Sequence, residues 1–342
     1  MSTVCRIGEA HARRREFLRA VGAGAFAATS AGAFAQAEPR VYRLGILSAG
    51  FAMPKDVLNS ATRVPELLRA LGYVEGRNLL IDRKYAEGRS DQLPRLAREL
   101  AHARVDLVLA IGTGPAQLAK SATKTIPIVF LGNFDPVAAG LVLSLARPGG
   151  NVTGVLITPE GSLTGKKFEL LHQVVPGATR IALLMPDDPA AGVQQQIEEA
   201  RNAASSLRVE GIVVTVRGGD YSGAFAMIET RRAGALVVGA HSFFVRDQRE
   251  IIERAAKQGV PAIYEWPQQV HNGGLMSYGA DEDEVYEQVA AQIDRILRGG
   301  QPSEIPIWAP EKLRIVINLK TAATLGLSIP QAFLLRADEL VQ

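Results

Sequence analysis

The chain of 342 residues carries 38 basic and 35 acidic side chains, which gives a formal net charge of +3. Five of the basic and two of the acidic residues lie in the first 37 positions, so the rest of the chain carries 33 of each sign. A nucleic-acid-binding surface needs an excess of basic side chains to neutralise phosphates, and neither the total nor any local run supplies one. The composition therefore argues against a nucleic-acid partner.

An export signal is predicted at the N-terminus. Arginines at 13–15 precede Phe17 and Leu18, a weakly apolar stretch of small residues follows at 20–31, and a small-x-small site ends at Ala35. This pattern resembles a bacterial twin-arginine signal peptide cleaved near Ala35. The alternative is an amphipathic helix that stays attached, but the stretch has no polar face to show to water. We expect residues 1–37 to be removed and the protein to work in the periplasm.

The remaining chain of 305 residues has no cysteine, because Cys5 is the only one. A disulfide, a thiol nucleophile and a lipid-modified cysteine are therefore excluded from the exported form. A chain of this length exceeds what one hydrophobic core usually supports, so two lobes are expected.

Short apolar runs alternate with amphipathic stretches from residue 41 onward. Nearly continuous runs predict strands that are buried on both faces, and the spacing of Leu93, Leu96 and Leu100 predicts a helix between two of them. A helix after the first strand is expected to start near Val64, because Pro65 suits a first turn and argues against one helix running unbroken from Asp56. The predicted strands of this first series are 41–47, 105–111, 126–131 and 152–157.

A second series of the same kind follows the turn cluster at 148–151 and a polar stretch at 158–165, where the chain could cross between lobes. Alternation of strands and helices indicates parallel sheets covered by helices, so the predicted fold class is α/β with two lobes. The predicted elements are strand 180–185, helix 193–207, strands 211–216 and 235–240, helix 248–258, strands 261–265 and 275–278, helix 284–297 and strand 313–319.

The acidic run 281–284 stands where the last long helix begins. Acidic residues at a helix start cap the free N–H groups and complement the helix dipole, and this interpretation is favoured over metal binding.

Five ordered segments carry a resemblance that covers essentially the whole chain. They are TIPIVF at 125–130, DPV at 135–137, LARPGGNVTG at 145–154, GGLMSYG at 273–279 and VINLKTA at 316–322. The chain resembles a family of ABC-transporter substrate-binding proteins that includes tryptophan- and tyrosine-binding members. The resemblance implies the type I periplasmic binding-protein fold, a clamshell of two Rossmann-like lobes with parallel sheets joined by a hinge.

The implied domain boundaries follow from that architecture. Residues 38–156 with 280–307 are expected to form the N-terminal lobe, and residues 157–279 with 308–342 the C-terminal lobe and a hinge segment. The helix from 284 to 297 would return to the first lobe, and the strand 313–319 would lie near the hinge.

A ligand cleft is expected beyond the carboxyl ends of the parallel strands, where loops and helix N-termini converge. In the first lobe the candidates are Ser48, Phe51, Thr113, Gly114, Asn133 and Asp135. The stretch 112–115 could hold a ligand carboxylate at a helix N-terminus. The alternative is a tight turn that needs glycine only for its backbone angles. Asp135 could receive a ligand ammonium group, and the alternative is that it caps a helix.

The candidates of the second lobe are Met185, His241, Phe243, Trp266 and Tyr278. Seven aromatic residues fall at or beside predicted strand ends, a bias that favours a planar or apolar ligand group. About half of these are expected to touch ligand and the rest to belong to the core. His241 is interpreted as a hydrogen-bonding residue of the cleft or a support behind it. The seven are Phe51, Phe134, Phe243, Phe244, Tyr264, Trp266 and Tyr278.

Enzyme signatures are incomplete, so no catalytic residue, cofactor or metal is predicted. The segment 112–114 resembles the start of a dinucleotide fingerprint, but Gln117 occupies the third glycine position. The segment 161–167 resembles a P-loop, yet it is one residue short and Lys167 stands where Ser or Thr should bind magnesium. The four histidines after the leader have no metal-ligand spacing.

The predicted function is a periplasmic solute-binding protein of an ABC importer that captures a small organic solute by cleft closure. An amino acid or a similar carboxylate with an aromatic or branched apolar body is the expected ligand. The expected partners are an inner-membrane permease and its cytoplasmic ATPase, and the protein is expected to be a monomer. The alternatives are a periplasmic sensor subunit for a receptor and, less favoured, a Rossmann-like enzyme.

Overall fold

Two β-sheets covered by helices organise the chain, so the predicted α/β fold with two lobes is confirmed. The computed structural model describes residues 40–52, 60–158, 163–188, 191–217 and 219–342. The expected signal peptide and residues 159–162 of the expected crossing lie outside these described residues. Among the described residues, no helix is both long and apolar enough to span a membrane.

The first sheet has five parallel strands in the order β2-β1-β3-β4-β5. Four of them are predicted from their apolar runs, which lie buried between helices as a covered parallel sheet requires. The exception is β2, an edge strand whose middle holds Asp82, Arg83 and Lys84 and therefore lacks the apolar signal. The strands are β1 Tyr42–Ser48, β2 Leu79–Tyr85, β3 Leu107–Ile111, β4 Ile128–Gly132 and β5 Val152–Leu156.

The second sheet has seven strands in the order β12-β11-β10-β9-β8-β6-β7. All neighbouring pairs are parallel except β10 and β11, which run antiparallel. The strands are β6 Arg180–Pro186, β7 Glu210–Val216, β8 Ala235–Val238, β9 Ala262–Tyr264, β10 Met276–Gly279, β11 Arg314–Asn318 and β12 Glu339–Val341.

Helices connect the strands and cover both faces of the sheets. The predicted helices near 193–207, 248–258 and 284–297 correspond to α5, α8 and α10. The short helices α7, α9, α11 and α12 have no periodic signal long enough to predict. The helices are α1 Ser60–Ala70, α2 Leu93–His102, α3 Thr113–Ala122, α4 Thr164–Val174, α5 Ala191–Leu207, α6 Tyr221–Thr230, α7 Ser242–Arg246, α8 Gln248–Lys257, α9 Pro267–His271, α10 Glu282–Leu297, α11 Leu319–Thr324 and α12 Gln331–Leu334.

Helix α1 contains Pro65 in its interior, so the predicted start near Val64 is wrong. A proline inside a helix removes one hydrogen bond and costs about 3 kcal/mol. Val64 and Leu68 are fully buried in the same core as Val285 of α10, and this packing offsets the loss. Tertiary contacts therefore override the local signal.

Helix α10 follows β10 of the second sheet but packs on the first one. Its residues Val285, Val289 and Ile293 belong to the same core as Leu44 and Ile46 of β1. At its start, the carboxylate of the preceding Asp281 accepts from the backbone N–H groups of residues 283 and 284, which confirms the capping interpretation of the acidic run. The chain therefore crosses from the second lobe to the first immediately before this helix.

The residues around Trp308 pair with the first sheet before the chain enters the second one. Trp308 is bridged to Val155 of the first sheet, through hydrogen bonds with the backbones of Gly154 and Leu156. Arg314 then begins β11 in the second sheet. The chain thus pairs with the first sheet at Trp308 and with the second sheet from Arg314 onward.

Candidate functional site

A cavity of about 480 Å³ lies between the carboxyl ends of the two sheets. Both lobes line it: residues after β1, β3, β4 and β5 from one side, and residues after β6, β8 and β9 from the other. Its volume falls in the range of small-molecule sites, and its position is where open parallel sheets bind ligands.

The N-terminus of α3 reaches the cavity through residues 112–115. Gly112 has φ of 97°, a left-handed conformation that favours glycine, and its N–H donates to Leu131 O at 2.8 Å. The amides of Thr113 and Gly114 have no acceptor among the described residues, since they stand in the first turn and Gly112 has no side chain to cap them. Two N–H groups and the helix dipole are therefore available to an anionic ligand group.

Neutral side chains complete the polar part of the first lobe's wall. Ser48 accepts a hydrogen bond from Gly50 N at 3.1 Å, and Asn133 accepts one from the hydroxyl of Thr158. Burial raises the pKa of the Tyr85 phenol, so this lining residue stays a neutral hydroxyl at physiological pH. The first lobe thus presents donors and acceptors without a formal charge.

Apolar side chains cover most of the remaining surface. Phe134 lines the cavity and packs against Phe130, with ring centroids 5.1 Å apart. Trp266 enters from the second lobe, is only 6% exposed, and packs into the core of the first lobe. An apolar or aromatic ligand group would be removed from water between these walls.

Gln196 of α5 holds the loop after β8 against the cavity. Its side chain accepts from Ala240 N at 2.7 Å and donates to Ala240 O at 3.1 Å. His241 follows Ala240 in the same loop, and its Nδ1 atom accepts a hydrogen bond from Phe243 N at 3.3 Å. When the imidazole is neutral, its proton is therefore on Nε2. That nitrogen lies 3.8 Å from a carboxylate oxygen of Asp188, another lining residue.

Glu265 stands at the end of β9 beside Trp266 and is 5% exposed. One carboxylate oxygen, Oε2, lies 3.1 Å from Nζ of the buried Lys167 on α4. The side-chain oxygen of Gln269 accepts from the backbone N–H groups of both Glu265 and Trp266, at 3.2 and 3.0 Å. Glu265 is thus a lining residue of the cavity whose carboxylate is held by a buried ion pair with Lys167.

The two lobes touch at the rim of the cavity. Phe51 of the first lobe and Phe243 of the second have ring centroids 5.3 Å apart, and the guanidinium of Arg246 lies 3.9 Å above the Phe51 ring. Gly50 faces Ser242, whose hydroxyl would be 2.9 Å from a Cβ built on that glycine. These contacts connect the two lobes at the rim of the cavity.

Seven of the eleven predicted site residues line the cavity and four do not. Asp135 is exposed and its carboxylate caps the turn that follows, accepting from Val137 N and Ala138 N. Met185 lies in the second lobe's core, and Tyr278 packs against that core. Phe243 contacts Phe51 at the rim instead of the cavity wall. The seven lining residues are Ser48, Phe51, Thr113, Gly114, Asn133, His241 and Trp266.

Three of the seven strand-end aromatics line the cavity, namely Phe51, Phe134 and Trp266. Phe244 and Tyr264 are 1% exposed and belong to the core. Because a strand end has one side facing the cleft and one facing the covering helices, position in sequence alone does not separate these two groups.

Several lining residues lie beyond the sequence-based candidates. Asp188 comes shortly after a predicted strand and Glu265 is the last residue of another, so a search for charged residues at strand ends would have found them. Tyr85, Gln196 and Tyr286 have no such signal, because they come from an unpredicted edge strand and from helix faces. Burial raises the pKa of the Tyr286 phenol well above its usual value, so it too presents a neutral hydroxyl.

Within the described residues, no group of three or more histidine, cysteine or acidic side chains has the geometry of a metal site. The described lining of the cavity consists of hydrogen-bonding groups, two carboxylates and apolar walls.

Comparisons with known proteins extend over both lobes. Residues 57–341 match the family described as ABC transporter substrate binding protein. The tyrosine-binding protein of Clostridioides difficile strain R20291 is 26% identical over 256 residues, covering 75% of this chain and 73% of that protein. The crystal structure of a conserved domain protein from Vibrio cholerae is 27% identical, with a TM-score of 0.75, and covers 88% of this chain and 100% of that one. An ABC domain from Streptococcus pneumonia in complex with L-Trp is 24% identical, with a TM-score of 0.72, covering 87% and 100%.

Proposed function

Because this chain belongs to the family of ABC transporter substrate-binding proteins, we propose that it captures one small organic solute in the cavity and delivers it to an inner-membrane permease driven by a cytoplasmic ATPase. The observation that carries this proposal is the cavity of about 480 Å³ lined by strand ends of both lobes. A solute held there contacts both halves of the clamshell at once, and it leaves the cavity chemically unchanged.

Cleft closure is the signal that the solute is bound. A ligand that touches both lobes binds the closed form more tightly than the open form and shifts the population accordingly. The contact of Phe51 with Phe243 and Arg246 belongs to the closed form and adds to its stability. The closed rim then offers the permease a surface that the open form lacks.

The ligand is an amino acid or a similar small carboxylate with an aromatic or branched apolar body. The amides of Thr113 and Gly114 suit a carboxylate, and the walls formed by Phe134 and Trp266 suit an apolar group. The tyrosine-binding relative and the L-Trp complex support an aromatic amino acid in particular.

The protein acts as a monomer in the periplasm. The arginines at 13–15 and the small-x-small site ending at Ala35 support export with cleavage of the leader. Edman or mass-spectrometric analysis of the N-terminus of periplasmic material tests this. Cytosolic protein with residues 1–37 still attached contradicts it.

A thermal-shift and calorimetry panel on the chain from residue 38 onward tests the ligand class. We expect stabilisation by aromatic or branched amino acids at a stoichiometry of one, since a ligand that binds only the native state raises its stability. Sugars and polyamines serve as the controls. If they bind while no carboxylate does, the proposed ligand class is wrong and the transport role stands.

A further inference from the structure

The guanidinium of Arg246 reaches across the rim from the second lobe to the first. Arg246 is the last residue of α7, and its Cζ lies 3.9 Å from the centroid of the Phe51 ring. A guanidinium at this distance over an aromatic face is in cation–π geometry, and its side chain is only 21% exposed, which strengthens the attraction. Phe51 lines the cavity, whereas Arg246 is not one of the described lining residues. Arg246 therefore acts on the wall of the site without touching the solute.

The carboxylate of Asp247 fixes the orientation of that guanidinium. Arg246 Nε donates to one of its oxygens, and a terminal nitrogen of Arg246 donates to the other. The hydroxyl of Tyr221 donates to the same carboxylate at 2.7 Å, and Tyr221 is 2% exposed in the core of the second lobe. The hydrogen bond to Asp247 also raises the pKa of Arg246 above its usual value, so the stacked group stays charged. A planar fork fixed in this way loses little conformational freedom when it stacks.

The first lobe supports the Phe51 ring with its own backbone. The carbonyl groups of residues 48–50 accept hydrogen bonds from the N–H groups of residues 86–88, at 2.9 to 3.0 Å, so the loops after β1 and β2 are tied together. Gly88 has φ of 79°, and a Cβ built on it would lie 3.5 Å from Cζ of both Phe51 and Phe243. The backbone of the first lobe thus contacts the edges of both rings.

A lining residue of the second lobe connects the rim to the cavity. The ring of His241 packs edge-on against the ring of Phe243, with centroids 4.5 Å apart, and His241 Nδ1 accepts from Phe243 N. Phe243 in turn packs against Phe51, with centroids 5.3 Å apart. The rim contact and the cavity wall therefore share residues in both lobes, Phe51 in the first and His241 in the second.

We propose that Arg246 is a latch across the mouth of the cavity, positioned by Asp247, and that this latch controls how fast a bound solute leaves. The inference rests on the proposed function, since it needs a solute in the cavity, and it adds the residues that time the release. The stacking of Arg246 on Phe51 has to break before the lobes separate, whereas it has not yet formed when a solute enters an open cleft. Loss of the latch therefore speeds dissociation and leaves association nearly unchanged.

Stopped-flow kinetics with L-tyrosine and with L-leucine test the latch, read out through the emission of the lining residue Trp266 under excitation selective for tryptophan. Arg246→Met is expected to raise the dissociation rate constant about three- to tenfold and to change the association rate constant less than about twofold. Arg246→Lys keeps the charge without the planar fork and should fall between. The control Arg231→Met breaks an exposed pair with Glu210 in the same lobe and should leave both rate constants unchanged. An unchanged dissociation rate in Arg246→Met overturns the proposal.

Two further variants test the positioning role. Asp247→Asn and Tyr221→Phe should each raise the dissociation rate constant by a smaller factor than Arg246→Met does. Combined with Arg246→Met they should have no further effect, because they act through the guanidinium. Effects that persist in the Arg246→Met background contradict positioning and indicate a merely structural role. If Arg246→Met folds poorly by circular dichroism, Tyr221→Phe with and without Arg246→Lys carries the same comparison.

A distance measurement separates this inference from the proposed function. If neither amino acid binds, the proposed ligand class is wrong, and the latch is tested without a solute. Cys5→Ser removes the only native cysteine, and Arg89→Cys and Arg217→Cys then place one spin label on each lobe, at positions 61% and 81% exposed. In pulsed electron paramagnetic resonance, Arg246→Met should shift the distances between the labels to larger values, and Arg231→Met should not. Identical distance distributions with and without Arg246 overturn the latch.

Discussion

The two lobes face the same cavity with different chemistry. The first lobe offers backbone amides at Thr113 and Gly114 and neutral side chains, whereas the second contributes both formally charged lining residues, Asp188 and Glu265. The amides favour an anion on the first lobe's side, and the carboxylates supply hydrogen-bond acceptors on the second lobe's side. The contrast teaches that the cleft can orient a dipolar solute as well as enclose it, and that each lobe must contact a different end.

Removing the cation behind Glu265 should have the largest effect. Lys167→Met leaves a carboxylate buried without its partner and is expected to lower the free energy of unfolding by about 3–5 kcal/mol. Urea denaturation of the variant and of the unaltered protein measures this difference in the free energy of unfolding. The neighbouring Lys166→Met, which breaks an exposed pair with Glu169, should change stability by about 1 kcal/mol or less.

The double variant Lys167→Met/Glu265→Gln should recover much of the lost stability, because it removes both charges and leaves none unpaired. A double variant as unstable as the single one contradicts the ion-pair explanation and points to lost packing of the lysine stem.

Among the residues that the structure describes, the buried acid Glu282 has no lysine partner of the kind that Glu265 has. Its pKa is raised to about 8 in the folded protein, against 4.5 for an ordinary glutamate. The larger cause is burial, and the second is the negative charge of the neighbouring Asp283. Between these values the folded state keeps a proton that the unfolded state has lost, so stability falls as pH rises from about 4.5 to 8. The expected slope is up to about 1.4 kcal/mol per pH unit.

Glu282→Gln removes that titration, so the stability of the variant relative to the unaltered protein should rise across the same pH window. Denaturation curves at pH 5, 6.5 and 8 measure the difference. Glu284→Gln, at an exposed position in the same helical turn, serves as control and should show no such trend. A difference that does not change with pH contradicts the raised pKa.

The rim contact between the lobes should contribute moderately to ligand affinity. Phe51→Ala removes both the ring contact with Phe243 and the guanidinium contact with Arg246, and is expected to weaken binding about tenfold. Stopped-flow kinetics should assign most of the loss to faster dissociation, because the contact stabilises the closed form.

Phe243→Ala separates closure from direct ligand contact, since Phe243 touches Phe51 but does not line the cavity. It should show a smaller loss, and the double variant should lose less than the sum of the two single losses. Fully additive losses contradict a coupled contact across the rim.

The smallest effect is expected at Thr113. Thr113→Val deletes the hydroxyl but keeps the backbone N–H groups that we assign to the carboxylate, so affinity should fall by about threefold or less. Amidation of the ligand's carboxylate should weaken binding much more, because the negative charge facing the helix terminus is lost. Calorimetry with L-tryptophan and its amide makes the comparison. Equal affinity for both compounds contradicts the assignment of the ligand's carboxylate to the N-terminus of α3.

The order of strands and helices could be predicted from the sequence to a large extent. Continuous apolar runs such as those of β3 and β4 predict buried strands directly, because strands covered on both faces can hold few polar residues. The edge strand β2 shows the limit: its exposed side admits charged residues, and the periodic signal disappears. Pro65 shows another limit, since burial of its helix outweighs a local propensity.

For the candidate site, strand ends were a good guide to the region and a weaker guide to individual residues. Thr113 and Trp266 line the cavity, whereas Met185 belongs to the core and Asp135 caps a turn. A side chain at a strand end can turn toward the cleft or toward the covering helices, and packing decides between them.

By itself, the sequence determined that this protein is an α/β chain of two lobes with polar loops and aromatic residues at its strand ends, because hydrophobic periodicity is a local property. Only the tertiary structure decided that Lys167 of α4 pairs with Glu265, the residue after β9 and 98 positions away, and that both charges are buried. That pairing depends on how two distant elements pack, and the energy of a buried charge depends on all the atoms that replace its water.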